Sequence, residues 1–291
     1  MDHEKVGALA HRCHRALEPL HAVIYFAPEA EQRYTSAGLR PGRMGYFASR
    51  SAPMGAVGPG VVGATFYNFS PELIARHIPR AWTLAGPEKV VAARFGAADA
   101  ALRRLLGDAV SAPEVAEAAT LAREATEGCT IEGRPLYAGH AELDWPSEPH
   151  LVLWHAITLL REFRGDGHVA VLAANGLGGL PALVTHVATG KGFLPAMAKA
   201  SRGWSDQQWA DATAELTAAG LLDDRETLTE AGAGLRRRIE EQTNAADTGP
   251  WLALGADKAA RLAELGRSLS RTVVAAGAFP PNVFAKGAPN T

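Results

Sequence analysis

Residues 154–168 read WHAITLLREFRGDGH, and this stretch predicts a helix that carries polar groups through apolar surroundings. His155, Thr158 and Glu162 stand at positions i, i+3 and i+7, so they share one face of an α-helix. The neighbouring positions are mostly apolar: Leu151, Val152, Leu153, Trp154, Ile157, Leu159, Leu160 and Phe163. Burying His, Glu and Arg in such surroundings is costly unless each finds a partner, so the polar stripe is a candidate site.

The end of this stretch predicts a break in the helix. The Gly-Asp-Gly run at 165–167 permits a tight turn, in which Asp166 would cap the next helix. His168 would then lie in the first turn of that helix, where the helix dipole favours a neutral imidazole that can act as a base. Arg161 would lie beside the polar stripe, and Arg164 would point elsewhere near the helix end.

The composition is that of an ordinary globular protein. The chain has 291 residues, of which 47% are hydrophobic and 21% are charged, and this length holds one large or two small domains. A formal net charge of −2 means that the chain has no excess of positive charge to attract nucleic acid or an anionic membrane surface. Cys13 and Cys129 are too few for a disulfide framework or a thiolate zinc site.

The first residues, MDHEKVGALAHRCHRALEPL, are polar and lack the apolar core of a signal peptide. Apolar runs such as AVIYF at 22–26 are far shorter than a transmembrane helix. The default expectation is therefore a cytoplasmic protein.

The spacing of apolar residues predicts a mainly α-helical chain. Residues 4–37 are predicted to be helical, with a kink or a break caused by Pro19 and Pro28. Ser70-Pro71-Glu72 is a strong helix start, because an N-cap serine precedes proline in the first turn. Further helices are predicted near residues 71–82, 87–106 and 112–127.

The glycine-rich segment 40–70 is predicted to be a long loop. Gly58, Gly60 and Gly63 match the GxGxxG spacing of dinucleotide-binding proteins, but no strand precedes them and no βαβ alternation surrounds them. We therefore expect aromatic side chains to pack the loop, and such loops often line binding sites. The packing residues are Tyr46, Phe47, Met54, Phe66, Tyr67 and Phe69.

Residues 202–246 predict a helix from Ser205 to Ala219, a stop at Gly220, a minimal two-stranded wing and a new helix from Glu230. The order of GL at 220–221, a hairpin and LTEAG at 228–232 resembles the second half of a MarR-like winged helix. This resemblance covers about residues 165–245.

Four segments carry a resemblance over the whole chain: PLHAVIYFAPEA (19–30), ATFYNFSPEL (64–73), WHAITLLREFRGDGHVA (154–170) and RGWSDQQW (202–209). They resemble an actinobacterial family of MarR-like winged-helix proteins of poorly defined role, whose members often accompany natural-product pathways. The resemblance assigns no chemistry. With the helix pattern it predicts an N-terminal helical domain at 1–148 and a domain at 149–291 that combines the central helix with a winged helix.

The helix from Ser205 would enter the major groove if this winged helix read DNA. Its charged residues are Asp206, Asp211 and Glu215, and the wing tip reads DDRE at 223–226. Because Lys and Arg contacts to phosphate supply most of the non-specific affinity, this surface would repel DNA. The sequence therefore predicts a scaffold that has lost DNA binding.

These observations predict a small-molecule-binding protein, with a biosynthetic enzyme as one version of that function. In the catalytic version His155 or His168 is the general base or acid, and Glu162 orients it. Arg161 or Arg164 would hold an anionic or carbonyl group. We also expect the N-terminal helix to pack on the central helix and bring His21 toward His155. The predicted ligand-binding residues are His21, Tyr25, Tyr67, Trp154, Thr158, Arg161, Arg164 and Asp166.

Several alternatives stay open. His155 can be a hydrogen-bonded core histidine, and Glu162 can form an ion pair that ties helices together. The second function is a ligand-responsive MarR-like transcriptional regulator, and a structural partner protein that forms a homodimer is the third. No HExxH or HxH metal-binding motif is present in the sequence. His155 and Glu162 lie about 10 Å apart along the helix axis, which is too far for them to share one metal ion without help from another segment. The cofactor is unknown, and haem bound through a single axial histidine stays open.

Overall fold

The computed structural model describes residues 3–281, and these residues form fifteen α-helices, short 3-10 turns and no β-strand. The first eight helices are α1 (His3–Ala22), α2 (Pro28–Ser36), α3 (Arg43–Ser51), α4 (Pro59–Phe66), α5 (Pro71–Ala75), α6 (Pro87–Leu106), α7 (Pro113–Thr126) and α8 (Pro135–Ala141). The other seven are α9 (Pro149–Ala174), α10 (Gly179–Val187), α11 (Pro195–Arg202), α12 (Asp206–Ala218), α13 (Glu230–Ala246), α14 (Thr248–Leu254) and α15 (Ala256–Ala275). The predicted mainly helical fold is confirmed.

Local capping signals explain why several predicted helix boundaries are confirmed. Proline occupies the first turn of α2, α6 and α7, where its fixed φ and missing N–H suit the helix start. Ser205 and Gln208 form a capping box at the start of α12, and Thr229 caps α13. The predicted helix at 71–82 is shorter, because α5 ends at Ala75 and a 3-10 turn follows at Arg80–Thr83.

The predicted break at 165–167 is wrong, because α9 runs without interruption from Pro149 to Ala174. His168 therefore lies in the middle of a helix instead of its first turn. The reason is tertiary: a Cβ at Gly167 would come within 2.6 Å of the Arg134 guanidinium, which donates hydrogen bonds to the carbonyls of Phe163 and Ala246. Gly167 thus makes room for a neighbouring segment, and packing overrides its low helix propensity.

The glycine-rich segment is also helical where a loop was predicted, because α3 and α4 lie within it. Gly58 precedes α4, and Gly60 and Gly63 lie inside that helix. The aromatic packing is confirmed, with ring centroids 5.1–6.2 Å apart among Tyr46, Phe47, Phe66 and Phe69. Helices this short depend on packing for their stability, so periodicity in the sequence does not reveal them.

Two large hydrophobic cores lie along α9, with a small third cluster of Tyr137, Leu159 and Phe163 beside them. The larger core joins α1–α8 to the first half of α9 and to α14 and α15. Within it α1 packs along α15, where Ser270 Oγ donates a hydrogen bond to the Ala16 carbonyl at 2.7 Å. The smaller core combines the end of α9 with α10–α13. The division of the chain at residue 148 stays a prediction, because these contacts do not show which units fold alone.

The helices α11 and α12 are joined by a short turn, and both contribute to the smaller core. Gly203 has a φ of +76° in this turn, and a Cβ there would come within 2.7 Å of Leu73. The predicted two-stranded wing is not present in the described part of the chain. At 221–229 the chain forms a tight hairpin with one isolated antiparallel bridge, Leu222 to Leu228. Asp223 accepts backbone N–H bonds from Arg225 and Thr227, which closes the hairpin before strands can form.

No single helix within residues 3–281 has the length and apolar character of a membrane span. Taken together, α9 and α10 are long and apolar enough for a membrane span, but the two helices are bent by 102° relative to each other.

Candidate functional site

Glu162 lies at the middle of α9, is completely buried, and binds two arginines. Arg50 from α3 donates from Nε to Oε1 at 3.0 Å and from Nη2 to Oε2 at 2.7 Å. Arg161 donates from Nη1 to Oε1 at 3.0 Å. Burial would raise the pKa of Glu162, but the two guanidinium groups outweigh it and hold this pKa well below its usual range. Glu162 is therefore the ionised centre of a buried ion-pair network.

A second carboxylate extends this network toward α1. Glu18 Oε2 lies 3.5 Å from Arg161 Nε. Burial raises the pKa of Glu18, although the charge of Arg161 opposes that rise. The Arg50 guanidinium also lies 4.5 Å from the centre of the Phe66 ring, so the aromatic segment covers the other side of the ion pair.

The end of α1 and the residues after it place an aromatic layer beside the network. The His21 ring stacks on Trp154 with centroids 5.8 Å apart and meets the Tyr25 ring edge-on at 5.4 Å. Trp154 Nε1 donates to the His21 carbonyl at 3.5 Å. Three predicted ligand-binding residues therefore lie together. Among the described residues, neither the ring nitrogens of His21 nor the Tyr25 hydroxyl has a hydrogen-bond partner.

His155 lies on an adjacent side of α9, where it is buried with both ring nitrogens unpartnered in the described structure. Its ring contacts Trp145 at 4.8 Å and Phe95 at 5.5 Å. No ring contact within residues 3–281 joins it to His21, which stacks on Trp154 instead. Successive helix positions differ by about 100° in direction, so Trp154 and His155 leave α9 on different sides, and His21 stacks on the Trp154 side. Burial, followed by the charge of Arg94, lowers the pKa of His155 to about 4.

Arg94 on α6 is a buried cation that no carboxylate neutralises in the described part of the chain. It is 2% exposed, and none of its three guanidinium nitrogens has a hydrogen-bond partner there. Its Cζ lies 5.0 Å from the centre of the Trp154 ring and 6.0 Å from that of Tyr25. Tyr34 is a neutral neighbour of the guanidinium: the charge of Arg94 and a side-chain interaction with it oppose the rise that burial causes in the pKa of Tyr34. Aromatic rings thus surround the guanidinium without providing a counter-charge.

His140 on α8 is the third buried histidine within the field of Arg94. Its Nε2 is buried and has no partner among the described residues. Burial, followed by the charge of Arg94, lowers the pKa of His140 to about 3. Burial also lowers the pKa of His21, with contributions from Arg161 and Arg94. Three neutral imidazoles and one unneutralised guanidinium therefore lie in one buried region, which we call the Arg94 cluster: His21, Tyr25, Arg94, His140, Trp154 and His155.

Two predicted site residues face α13 instead of this cluster. Arg164 donates hydrogen bonds of 2.7–3.3 Å to three acceptors: Glu240, Asn244 and Asp247. His168 Nδ1 lies 2.8 Å from the Thr243 hydroxyl, and burial lowers the pKa of His168 to about 4. These contacts tie α9 to α13, on a face apart from Glu162.

The remaining predicted residues have local or distant partners. The Thr158 hydroxyl donates to the Trp154 carbonyl at 2.8 Å, within its own helix. The Tyr67 hydroxyl donates to the Leu177 carbonyl at 2.6 Å, next to the smaller core. Both hydroxyls bind backbone carbonyls, so neither hydrogen bond joins two side chains of the Arg94 cluster.

Asp166 caps a helix, although not the one that was predicted. Its Oδ2 accepts the backbone N–H groups of Leu136 and Tyr137 at 2.9 Å each, in the first turn of α8. The expected cap on a new helix at His168 is therefore wrong, because that helix start does not exist. Burial raises the pKa of Asp166 to about 6, although the Tyr137 N–H opposes this rise.

The Asp166→Asn variant is expected to gain stability relative to the wild type as the pH rises from acid to neutral. The pKa of Asp166 is about 6 in the folded protein against an ordinary 3.8, so its stabilising contribution is complete below pH 3.8 and is lost as the pH rises through about 6. An asparagine oxygen can still accept both N–H groups and does not ionise. Urea unfolding at several pH values measures the difference, and a difference independent of pH would contradict this interpretation.

A narrow crevice opens between α1 and α9 and has room for about one water molecule. Its polar lining comes from His14, Glu18, Arg161, Arg164 and Asp247. Arg161 belongs both to this crevice and to the Glu162 network, and its Cζ lies 5.8 Å from the centre of the Tyr25 ring. The crevice therefore reaches the edge of the Arg94 cluster.

The exposed face of α12 is acidic. Its solvent-facing residues are Asp206, Gln207, Ala210, Asp211, Ala214, Glu215 and Ala218. Lys199 on α11 forms an ion pair with Asp206, so this neighbouring cation is already engaged. Among residues 3–281, no group of three or more His, Cys, Asp and Glu side chains is arranged to hold a metal ion.

Sequence reasoning missed Arg50, Arg94 and His140. Arg94 could have been found, because it stands four residues after Val90 and four before Ala98, on the buried stripe of α6. Arg50 lies in α3, within the segment that was expected to be a loop, and His140 lies in α8, for which no helix was predicted.

The sequence profile of a helix-turn-helix family matches residues 10–280. The matched range includes the smaller core and all of the larger core except Val6 and Leu9, and it contains the Arg94 cluster as well as α11 and α12. Comparison with curated proteins and with solved structures gives no match.

Proposed function

Because the chain belongs to a helix-turn-helix family, we propose that it is a small-molecule-binding protein built on a helix-turn-helix scaffold. The Arg94 cluster is the proposed binding site. One observation carries this proposal: five side-chain nitrogens of Arg94 and His21, which both contact the Trp154 ring, are buried without hydrogen-bond partners among the described residues. Buried polar groups almost always have partners, so their accumulation favours a site that a ligand completes.

The acidic face of α12 supports a function other than DNA reading. A recognition helix approaches the phosphate backbone, where cationic side chains supply most of the non-specific affinity. Asp206, Asp211 and Glu215 are exposed on this face, and it has no exposed Lys or Arg. Loss of DNA binding is therefore part of the proposal.

Binding of an aromatic probe at the cluster is expected to shift the NMR signal of the Trp154 indole N–H. The ¹⁵N-labelled full chain would be titrated with benzamide, benzylamine and benzoate at millimolar concentrations, and the Trp154→Phe variant would assign the signal. The Trp209 indole, in the smaller core, is the internal control and should not move. If none of the three probes shifts the Trp154 signal, the proposed function is contradicted.

The contacts of α3 favour a second candidate, a ligand-responsive transcriptional regulator. Arg50, at one end of α3, binds Glu162, and Arg43, at the other end, donates to the carbonyls of Ser201 and Ala200, the latter at 2.9 Å. A ligand that disturbs the Arg50 pair would therefore act on the helix that holds α11. Titration with random duplex DNA at low salt decides between the candidates, because tight, salt-sensitive binding would favour the regulator.

Finer features of the proposal rest on the sequence. The resemblance implies a MarR-like relationship, an actinobacterial origin and a role near natural-product pathways. A cytoplasmic location is the default expectation from the sequence, and a homodimer is expected from its Ala-rich helices. An enzymatic version would use His155 as the base, since its neutral ring can accept a proton. Glu162 binds Arg50 and Arg161, so in that version it would hold Arg161 in position. The positive charge of Arg161 would then polarise the substrate.

A further inference from the structure

The geometry points to a small aromatic monocarboxylate as the ligand, bound through the guanidinium of Arg94. This inference rests on the proposed function and names the chemical class of the ligand. It depends on three features of the Arg94 cluster: its uncompensated charge, its aromatic walls and its connection to the crevice beside Arg161.

The charges of the buried centre leave one positive charge uncompensated. Arg50 and Arg161 both bind Glu162, and Arg161 also faces Glu18. Arg94 has no carboxylate partner in the described structure. A guanidinium keeps its charge in proteins, so a buried one strongly favours an anion. A carboxylate accepts two parallel N–H bonds from a guanidinium and supplies one compensating charge.

The walls of the cluster favour an aromatic body on this carboxylate. Trp154 and Tyr25 lie on the guanidinium, and Phe95 meets the Trp154 ring edge-on with centroids 5.7 Å apart. Such walls bury an aromatic ring, whereas a strongly hydrated anion such as phosphate would gain nothing from them. The unpartnered nitrogens of His21 and His155 can donate to or accept from polar substituents on the ring.

A narrow crevice lies beside the cluster, on the side from which a ligand would enter. The crevice between α1 and α9 is lined by Glu18 and Arg161, and Arg161 lies over the Tyr25 ring at 5.8 Å. Tyr25 in turn faces Arg94 at 6.0 Å. Arg161, which pairs with Glu162 and Glu18, therefore separates the crevice from the cluster, and a ligand that enters must displace it.

Calorimetric titration of the full chain with benzoate, benzamide and inorganic phosphate tests this inference. Benzoate is expected to bind about ten- to a hundredfold more tightly than its neutral analogue benzamide, because only benzoate compensates the Arg94 charge. The Arg94→Met variant should lose this preference, and Arg94→Lys should keep part of it. Arg104→Met, on the same helix but in an exposed ion pair with Glu29, is the matched control and should bind benzoate as the wild type does.

Equal binding of benzoate and benzamide, or undiminished benzoate binding by Arg94→Met, would overturn this inference and leave the proposed function standing. If phosphate binds and benzoate does not, the assignment of an aromatic carboxylate as the ligand is overturned. If no aromatic probe shifts the Trp154 signal, the proposed function itself is contradicted. Failure of the carboxylate inference and failure of the proposed function are therefore distinguishable.

Thermal unfolding without ligand gives an independent readout. A buried cation without a partner destabilises the protein, so Arg94→Met should raise Tm by about 2–8 °C. A lower Tm would show that the contacts of Arg94 with the rings are structural, and would overturn the assignment. Arg104→Met should leave Tm nearly unchanged, since exposed ion pairs contribute little.

Discussion

Replacing Glu162 by methionine is expected to lower the free energy of unfolding by about 3–5 kcal/mol. The carboxylate is completely buried and accepts hydrogen bonds from Arg50 and Arg161. Its removal would leave two guanidinium groups side by side in a region of low dielectric without their shared counter-charge. Urea denaturation followed by circular dichroism measures this loss, because the described fold is almost entirely helical.

A double variant separates the lost ion pair from lost packing. Arg50→Met together with Glu162→Met removes both members of the bidentate pair, and Arg161 keeps Glu18 as a neighbour. We expect the double variant to be more stable than Glu162→Met alone, because the unpaired charge of Arg50 is gone. At the surface, Glu264→Gln breaks an exposed contact with Arg261 and should cost less than about 1 kcal/mol. An equally small loss in Glu162→Met would contradict the network.

The local pattern of the sequence was sufficient to predict the helical scaffold and the burial of its polar stripe. His155, Thr158 and Glu162 all lie buried in α9, as their i, i+3 and i+7 spacing predicts. Helix starts at Pro87 and Pro113 were also predictable, because capping and proline geometry act within a few residues. In each case the deciding interactions are short-range, and the sequence shows them directly.

The partners of the stripe were not predictable, because they come from distant parts of the chain. Glu162 meets Arg50 across 112 residues. A hydrophobic pattern tells which face of a helix is buried, and it does not tell which buried faces meet. The unbroken α9 shows the same limit, since Gly167 lies inside the helix with Arg134, 33 residues earlier, packed against it. The Gly-Asp-Gly run at 165–167 favours a turn when its local sequence is considered alone, and tertiary packing overrides this preference.

The Gly179→Ala variant is expected to lower the free energy of unfolding by about 2–4 kcal/mol. Gly179 begins α10, and a Cβ at this position would overlap the backbone carbonyl oxygen of Tyr67. Tyr67 cannot easily retreat, because its φ is +50° and its hydroxyl donates to the Leu177 carbonyl at 2.6 Å. The overlap involves backbone atoms, so no side-chain rotation relieves it. Chemical denaturation measures the loss.

The neighbouring glycine provides the control for this close approach. A Cβ at Gly178 would have Pro181 Cδ as its nearest atom at 3.9 Å, an ordinary contact, so Gly178→Ala should cost less than about 1 kcal/mol. Because Gly179 joins the smaller core to the aromatic segment, its alanine variant should raise hydrogen exchange in α10–α13 more than in α1 and α15. Equal losses in the two variants, or equal exchange in both regions, would show that this contact does not hold the helix-turn-helix unit in place.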